Sequence, residues 1–266
     1  MTMRIIESNT AELTTHHTDV FKLIQITDTH IQEKGTDLFN GFDTSASLQQ
    51  VIKALQENET DADCLLITGD LVNVPTEAAY QELADILASV KKPVFWLPGN
   101  HDNPELMDYV LGKNSFDTCK IIQANNWRVI LVNSHLMGEH AGEITEEEYH
   151  FLETALNESK ESNILIALHH HPISINSLWM DSMMLTNPEK LLELIEQHKQ
   201  VKGVIWGHIH QQFEMVINEV HFLGSPSTCI QFKPKATAYE ADKKSPGYQS
   251  LNMFNSGNIK SKVIYL

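Results

Sequence analysis

A chain of 266 residues, 42% of them hydrophobic, is long enough to bury the core of one large α/β domain and carries no compositional mark of disorder. Nineteen Lys and Arg against 35 Asp and Glu leave a formal net charge of −16 with no basic cluster, the wrong sign for gripping the backbone of a nucleic-acid polymer. No apolar stretch reaches the roughly 20 residues of a membrane span, Met1 to Glu7 lacks the apolar core of a secretory signal, and Cys64, Cys119 and Cys229 form no C-x-x-C pair, so a cytoplasmic protein without disulfides is expected.

In chain order, the first buried strand is predicted at Phe21 to Ile26, an apolar run rich in β-branched residues. Leu48, Val51, Ile52 and Leu55 then share one helical face, followed by a strand at Cys64 to Ile67, a second helical face at Tyr80, Leu83, Ile86 and Leu87, and a strand at Val94 to Leu97. Val129 to Val132 is the next strand. Thr145 with Glu148 three residues on makes a capping box for the helix carrying Tyr149, Leu152 and Leu156. Strands at Ile164 to Leu168 and Gly203 to Trp206 flank a helix over Leu191 to Ile195, for which Asn187-Pro188 supplies an N-cap and a proline at the first helical position. Later segments, Val220 to Leu223 and Lys262 to Leu266, read as strands without intervening helices. This alternation predicts an α/β core with helices covering sheets, as a single domain over residues 1–266.

Five of the predicted strands run into residues that ligate metals. Asp28-Thr-His30 follows the first, Gly69-Asp70 the second, Gly99-Asn100-His101-Asp102 the third, His169-His170-His171-Pro172 the fifth and Gly207-His208-Ile-His210 the sixth. Ligands gather beyond the carboxyl ends of strands in open α/β sheets, so the five ends can converge on one point. Asp and His two residues apart, as at Asp28 and His30, can share a metal once the chain leaves the sheet. The carboxylate of Asp70 has two oxygens and can bridge two ions. Imidazole, carboxylate and one amide without thiolate suit iron, manganese, cobalt or zinc, and the nitrogen ligands argue against calcium or magnesium. Of the histidine triplet, one residue is expected to be a ligand, His169 or His170, with His171 a packing or supporting residue.

In order and wording these motifs resemble the calcineurin-like metallophosphoesterase superfamily. Gln25-Ile-Thr-Asp-Thr-His30, Trp96-Leu-Pro-Gly-Asn-His-Asp102 and Pro226-Ser-Thr-Cys-Ile-Gln-Phe-Lys-Pro234 are similar to the bacterial class III 3′,5′-cyclic-AMP phosphodiesterases, from about Phe21 to about Gly247. The resemblance implies a four-layer α/β/β/α sandwich of two mixed sheets. It also implies a centre of two divalent metal ions, one held by Asp28, His30, Asp70 and His210 and the other by Asp70, Asn100, His169 and His208. Hydrolysis of cAMP to 5′-AMP by a metal-bridging hydroxide is the expected reaction. Substrate contacts would come from His30, Asp70, Asn100, His101 and His210, with His101 as general acid and Asp102 accepting a hydrogen bond from its imidazole.

The base is less legible. Ser177 to Thr186 carries Trp179 and three methionines that could pack on a purine or serve as a core or dimer contact, and Ser227 and Thr228 are candidate polar contacts to the nucleotide. The other histidines, among them His16, His17, His135, His140, His150, His198 and His221, have no motif around them. The expected partner is a small cyclic nucleotide, acting on a monomer or homodimer. The rival readings are a broader phosphodiesterase or a nucleotide phosphatase. Phosphoprotein phosphatases of the superfamily carry arginines in GDxVDRG and RGNHE, where this chain has Gly69-Asp-Leu-Val-Asn73 and Pro98-Gly-Asn-His-Asp102. A non-catalytic scaffold would be expected to have lost ligands or His101.

Overall fold

Two β-sheets packed face to face carry the strand ends on which the site is built. The computed structural model describes residues 3–7, 9–35, 38–114 and 119–266; Met1 and Thr2 of the start read above lie outside them. The first part of the chain forms strands β1 (Met3–Glu7), β2 (Thr10–Leu13) and β3 (Val20–Ile26), helix α1 (Thr44–Asn58), β4 (Cys64–Thr68), α2 (Glu77–Leu87), β5 (Val94–Leu97) and α3 (Pro104–Lys113). The middle forms β6 (Ile121–Ala124), β7 (Trp127–Leu131), α4 (Glu146–Glu158), β8 (Asn163–Ala167), the short α5 (Leu178–Asp181), α6 (Pro188–Gln197) and β9 (Val201–Trp206). Six strands close the chain: β10 (Phe213–Ile217), β11 (Val220–Gly224), β12 (Gln231–Phe232), β13 (Ala241–Asp242), β14 (Gly247–Phe254) and β15 (Ile259–Tyr265).

One sheet has the order β15-β14-β3-β4-β5 and the other β1-β2-β6-β7-β8-β9-β11-β10, and a two-stranded ribbon pairs β12 with β13. Parallel pairing joins β3 to β4, β4 to β5, β7 to β8 and β8 to β9. Antiparallel β14 on β3 makes the smaller sheet mixed. All five residues of β4 are buried because both its faces are covered, one by helices and one by the other sheet. Leu65 and Ile67 face α1 and α2 in one apolar cluster, while Cys64 and Leu66 face Val129, Leu165 and Ile205 of the larger sheet in another. A third cluster seals α4 and α6 against the far side of the larger sheet through Leu152, Leu156, Leu191 and Ile166. The layers are therefore α/β/β/α, as the resemblance implied. Among the described residues, no helix is long and apolar enough to cross a membrane.

Helix starts follow the chemistry of their caps. Asp43, Thr76, Asn103 and Thr145 each accept a hydrogen bond from a backbone N–H in the first turn of α1, α2, α3 and α4. Asn187 departs from expectation. Its side chain caps nothing in α6 and instead bonds both backbone groups of Ile144, accepting from N–H at 3.1 Å and donating to the carbonyl at 2.9 Å. Pro188 alone starts that helix.

Trp127 is fully buried between the sheets, and its indole N–H donates to the Phe254 carbonyl at the end of β14, 2.9 Å away. Trp127→Ala should cost about 3 to 5 kcal/mol of stability, from lost burial and the void left behind. Urea unfolding of both proteins measures it, and a cost below about 1 kcal/mol would mean that the sheets close over the gap.

Candidate metal centre

The five motifs occupy one end of the two sheets. Asp28, Asp70 and Asn100 follow β3, β4 and β5 of the smaller sheet, and His169 and His208 follow β8 and β9 of the larger. Leaving a strand toward a common point requires a sharp change of backbone direction. Asp28, His30, Asp70, His208 and His210 all have positive φ, between 44° and 65°. Few non-glycine residues adopt this conformation, and a run of them marks strain held by the surroundings. Gly69 enters the Asp70 turn at φ 93°, and a Cβ there would collide with the His169 ring.

Backbone hydrogen bonds knit these turns together. Asp28 N–H donates to the Gly69 carbonyl and His30 N–H to the Asp70 carbonyl, each at 3.0 Å. His208 N–H donates to both Asp28 carboxylate oxygens, at 3.1 and 3.0 Å, which ties the larger sheet to the smaller. Gln25 Nε2 donates to the Trp206 carbonyl from below.

Inside this frame the side chains form two groups that share Asp70. Nε2 of His30 lies 3.1 Å from Nε2 of His210 and 3.7 Å from Asp70 Oδ2, and Nε2 of His210 lies 3.3 Å from Asp28 Oδ1. Nε2 of His169 lies 3.2 Å from Asn100 Oδ1 and 3.4 Å from Asp70 Oδ1. Each Asp70 oxygen thus faces a different group. His170 and His208 offer nitrogens within 4.8 Å of one another and of His169. Nε2 of His208 is buried with no hydrogen-bond partner.

The outer nitrogens fix the ring orientations. Nδ1 of His169 donates to the Thr68 carbonyl at 2.7 Å and Nδ1 of His210 to the Ile230 carbonyl at 2.8 Å, which turns both Nε2 atoms inward, where a cation would replace any proton they carry. Nε2 of His210 turns inward beside His30 Nε2, Asp28 Oδ1 and, through His30, Asp70 Oδ2, a convergence of nitrogen and carboxylate donors in one buried place. The donor set therefore fits a cation, and of the triplet it is His169 whose Nε2 reaches Asp70 and Asn100. His171 instead turns to Asp181, 3.3 Å away.

Protonation follows the same logic. Burial works to raise the Asp70 carboxyl, but the charge and hydrogen bond of His169 outweigh it and hold Asp70 well below the carboxylate range; for Asp28, His210 likewise outweighs burial. Burial drives His30 down to about 3 and, with the neighbouring histidines, holds His208 far below its usual range. His169 is the exception, because Asp70 overcomes the cost of burial and lifts it to about 9. Ionised carboxylates among mainly neutral imidazoles are the state that cation binding requires.

Three expectations need correction. Asp102 is not positioned as the partner of His101. Its buried carboxylate accepts from the Gly99, Leu71 and Val72 N–H groups at 2.8, 3.1 and 3.3 Å and from the Tyr80 hydroxyl at 3.1 Å. Burial and the charge of Asp70 push its carboxyl up to about 6. Asp102 therefore clamps the Gly99 turn to the Asp70 turn, and Nδ1 of His101 donates to the Asn73 carbonyl at 2.9 Å instead. Ser227 and Thr228 are fully buried: Ser227 Oγ supports the backbone rather than a nucleotide, donating to the Asp28 carbonyl at 2.8 Å, while Thr228 is held by its backbone N–H, which donates to the Thr27 carbonyl. His140, without a motif of its own, comes to the rim of the site, its Nδ1 3.4 Å from Asn100 Nδ2 and its ring 6.3 Å from that of His101. Only the chain path between β7 and α4 brings it there, so nothing local in the sequence could have found it.

With this geometry in view, the relatives are informative. The sequence profile of the calcineurin-like phosphoesterase family matches residues 21–212. The chain is 36% identical over 243 residues to the 3′,5′-cyclic adenosine monophosphate phosphodiesterase CpdA of Vibrio vulnificus, covering 91% of this chain and 89% of that one. It is 36% identical over 241 residues to the 3′,5′-cyclic-nucleotide phosphodiesterase alr5338 of Nostoc sp., covering 91% of each. In fold it is similar to the purple acid phosphatase PPD1 of yellow lupin, with a TM-score of 0.67 at 16% identity over 94% of this chain and 52% of that one. A dimetal phosphatase from Danio rerio gives 0.61 at 13% identity over 93% and 99%.

Replacing Asp102 by alanine should strand backbone donors on both turns at about 1 to 3 kcal/mol for each group left unmet. Urea unfolding of metal-free protein is expected to show a loss of at least about 2 kcal/mol. Wild-type stability in Asp102→Ala would contradict the clamp.

Proposed function

The chain belongs to the calcineurin-like phosphoesterase family, and within it we propose a dinuclear-metal phosphodiesterase that opens 3′,5′-cAMP to 5′-AMP. The observation that carries the reading is the division of Asp70 between two groups of donors, combined with relatives whose names specify cyclic-nucleotide phosphodiesterases and which match over nine-tenths of the chain. In this reading Asp28, His30, Asp70 and His210 hold one divalent ion, and Asp70, Asn100, His169 and His208 hold the other. Iron, manganese, zinc and cobalt are the candidates that this donor set favours. Such a pair supplies a nucleophile from water near neutral pH and offsets the charge that builds on the phosphoryl oxygens.

The protein's own part is placement and proton transfer. The N–H of His101 donates to Asp70 Oδ1 at 2.8 Å, so the imidazole is anchored beside the bridge. Its Nδ1–H is committed to the Asn73 carbonyl, so the imidazolium would turn its Nε2–H to the substrate, protonate the departing 3′ oxygen as general acid and be left as the neutral Nδ1–H tautomer. Asn73 sets the tautomer in place of the carboxylate expected there. His30, Asn100 and His210 would contact phosphate oxygens from around the same centre.

The wider setting agrees with a small anionic substrate. A net charge of −16 disfavours a polymeric nucleic acid, whose binding depends on neutralised phosphates, whereas bound cations dominate the local field at a metal centre. The buried cysteines Cys64 and Cys229, neither of them in a disulfide, are compatible with a reducing cytoplasm. We read the whole chain as one domain.

Asp70→Ala should lose both metal equivalents and all metal-dependent hydrolysis, while His210→Ala should mainly lose one, as metal analysis of the purified proteins would register. Two full equivalents and wild-type turnover in Asp70→Ala would sink the bridge.

His101→Ala should retain its metals and lose about 10²- to 10⁴-fold in kcat on cAMP. The loss should be much smaller on a diester with a nitrophenolate leaving group, which needs no proton. Chromatography of the cAMP product with added Mn²⁺ or Fe²⁺ should give 5′-AMP. A dominant 3′-AMP peak, or no cAMP turnover beside fast hydrolysis of another phosphoester, would contradict the substrate and leaving-group assignments.

A further inference from the structure

The groups described at the centre would hold cations and phosphate oxygens, and none of them offers a contact to a base. The nearest surface with the chemistry to do so begins at His210. The Phe232 ring lies flat against the His210 imidazole, with centroids 4.0 Å apart and an 8° angle between planes. Trp179 meets Phe232 edge-on at 5.0 Å, Tyr239 meets it at 5.5 Å, and the two outer rings stand 5.6 Å from each other. Three aromatic rings therefore form one cluster in contact with a candidate metal ligand.

The rings come from two segments that are far apart in sequence and pinned together. Phe232 ends β12, Tyr239 lies in the loop that joins β12 to β13, and Trp179 sits in α5. Ser177 Oγ donates to the Ala236 carbonyl at 2.9 Å, locking α5 to the ribbon, and Lys233 pairs with Glu240 across the ribbon at 2.6 Å. A cluster serving only as core would be closed to water. Tyr239 is instead 52% exposed, whereas Met180 beside Trp179 is buried in the core.

We infer that Tyr239, supported by Trp179 and Phe232, is the stacking surface for the purine ring of the substrate, making this cluster a determinant of base preference. This deepens the cyclic-nucleotide reading and rests on it. Aromatic rings hold nucleobases by their π-faces, and a purine offers a larger face than a pyrimidine. Local charge fits the same occupant. Residues 231–244 carry four lysines, Lys233, Lys235, Lys243 and Lys244, against Glu240 and Asp242, a local excess of positive charge on a chain of net charge −16. A flat base linked to an anionic phosphate would meet an aromatic surface, nearby cations and the metal centre in one span.

The experiment compares wild type with Tyr239→Ala and Tyr239→Phe, all metal-loaded and matched for metal content. Tyr239→Ala is expected to raise KM for cAMP about tenfold, within the range for loss of one stacking contact, with kcat changed less than twofold. Tyr239→Phe, which keeps the ring, should restore the wild-type KM. Equilibrium binding of the two products 5′-AMP and ribose 5-phosphate gives an independent readout: wild type should prefer 5′-AMP, and Tyr239→Ala should lose most of that preference. If cAMP turnover is intact but Tyr239→Ala changes neither KM nor the preference, the stacking surface is wrong and the phosphodiesterase reading stands. If wild type turns over no cAMP yet shows a Tyr239-dependent preference for 5′-AMP, the substrate reading falls and the stacking surface survives.

Discussion

Asp70 gives one carboxylate oxygen to each of two donor groups, and the surrounding architecture depends on keeping that carboxylate ionised and in place. Burial alone would push it toward neutrality. The imidazoles around it, His169 foremost, reverse that tendency. The same field explains why His169 is lifted whereas His30 and His208 are lowered. A cation placed where these groups converge would take over the role that the His169 proton plays in their absence.

Holding so many polar groups in a dry place demands a rigid backbone. Five residues of the centre adopt left-handed φ, at a cost of about 1 kcal/mol or more each. Compensation comes from the hydrogen bonds between turns, from Asp102 bridging the Gly99 and Asp70 turns, and from Ser227 on the Asp28 carbonyl. Asp102 and Ser227 are both buried. Metal binding adds a further term, since anything that binds the folded state alone stabilises it. Stability and activity should therefore be coupled at this end of the sheets.

Much of this was legible in the sequence, for a physical reason. Strands buried on both faces read as continuous apolar runs, so β3, β4, β5, β8 and β9 stand out, and the residues just beyond them carry the ligating chemistry. The shortest pieces were not legible: β12 and β13, at two residues each, are too short to show any period. Asp102 was misread because adjacency to His101 in sequence suggested adjacency in space, whereas the turn sends the two side chains to different partners. The true partner of His101 is a backbone carbonyl, that of Asn73, which no residue pattern reports. Ser227 was misassigned for a related reason, since a polar residue near a site can support its backbone, as Ser227 Oγ does at the Asp28 carbonyl, instead of facing the substrate. The ring cluster of Trp179, Phe232 and Tyr239 depends on two loops meeting, and only the fold brings them together.

The central claim, that Asp70 bridges two ions, is tested most directly by locating the ions themselves. Anomalous diffraction from crystals grown with Mn²⁺ should reveal two peaks per chain about 3.5 to 4 Å apart, one on each side of the Asp70 carboxylate. The His169 Nε2 should lie against one peak and the His210 Nε2 against the other. A single peak, or a pair of which only one touches Asp70, would contradict the account.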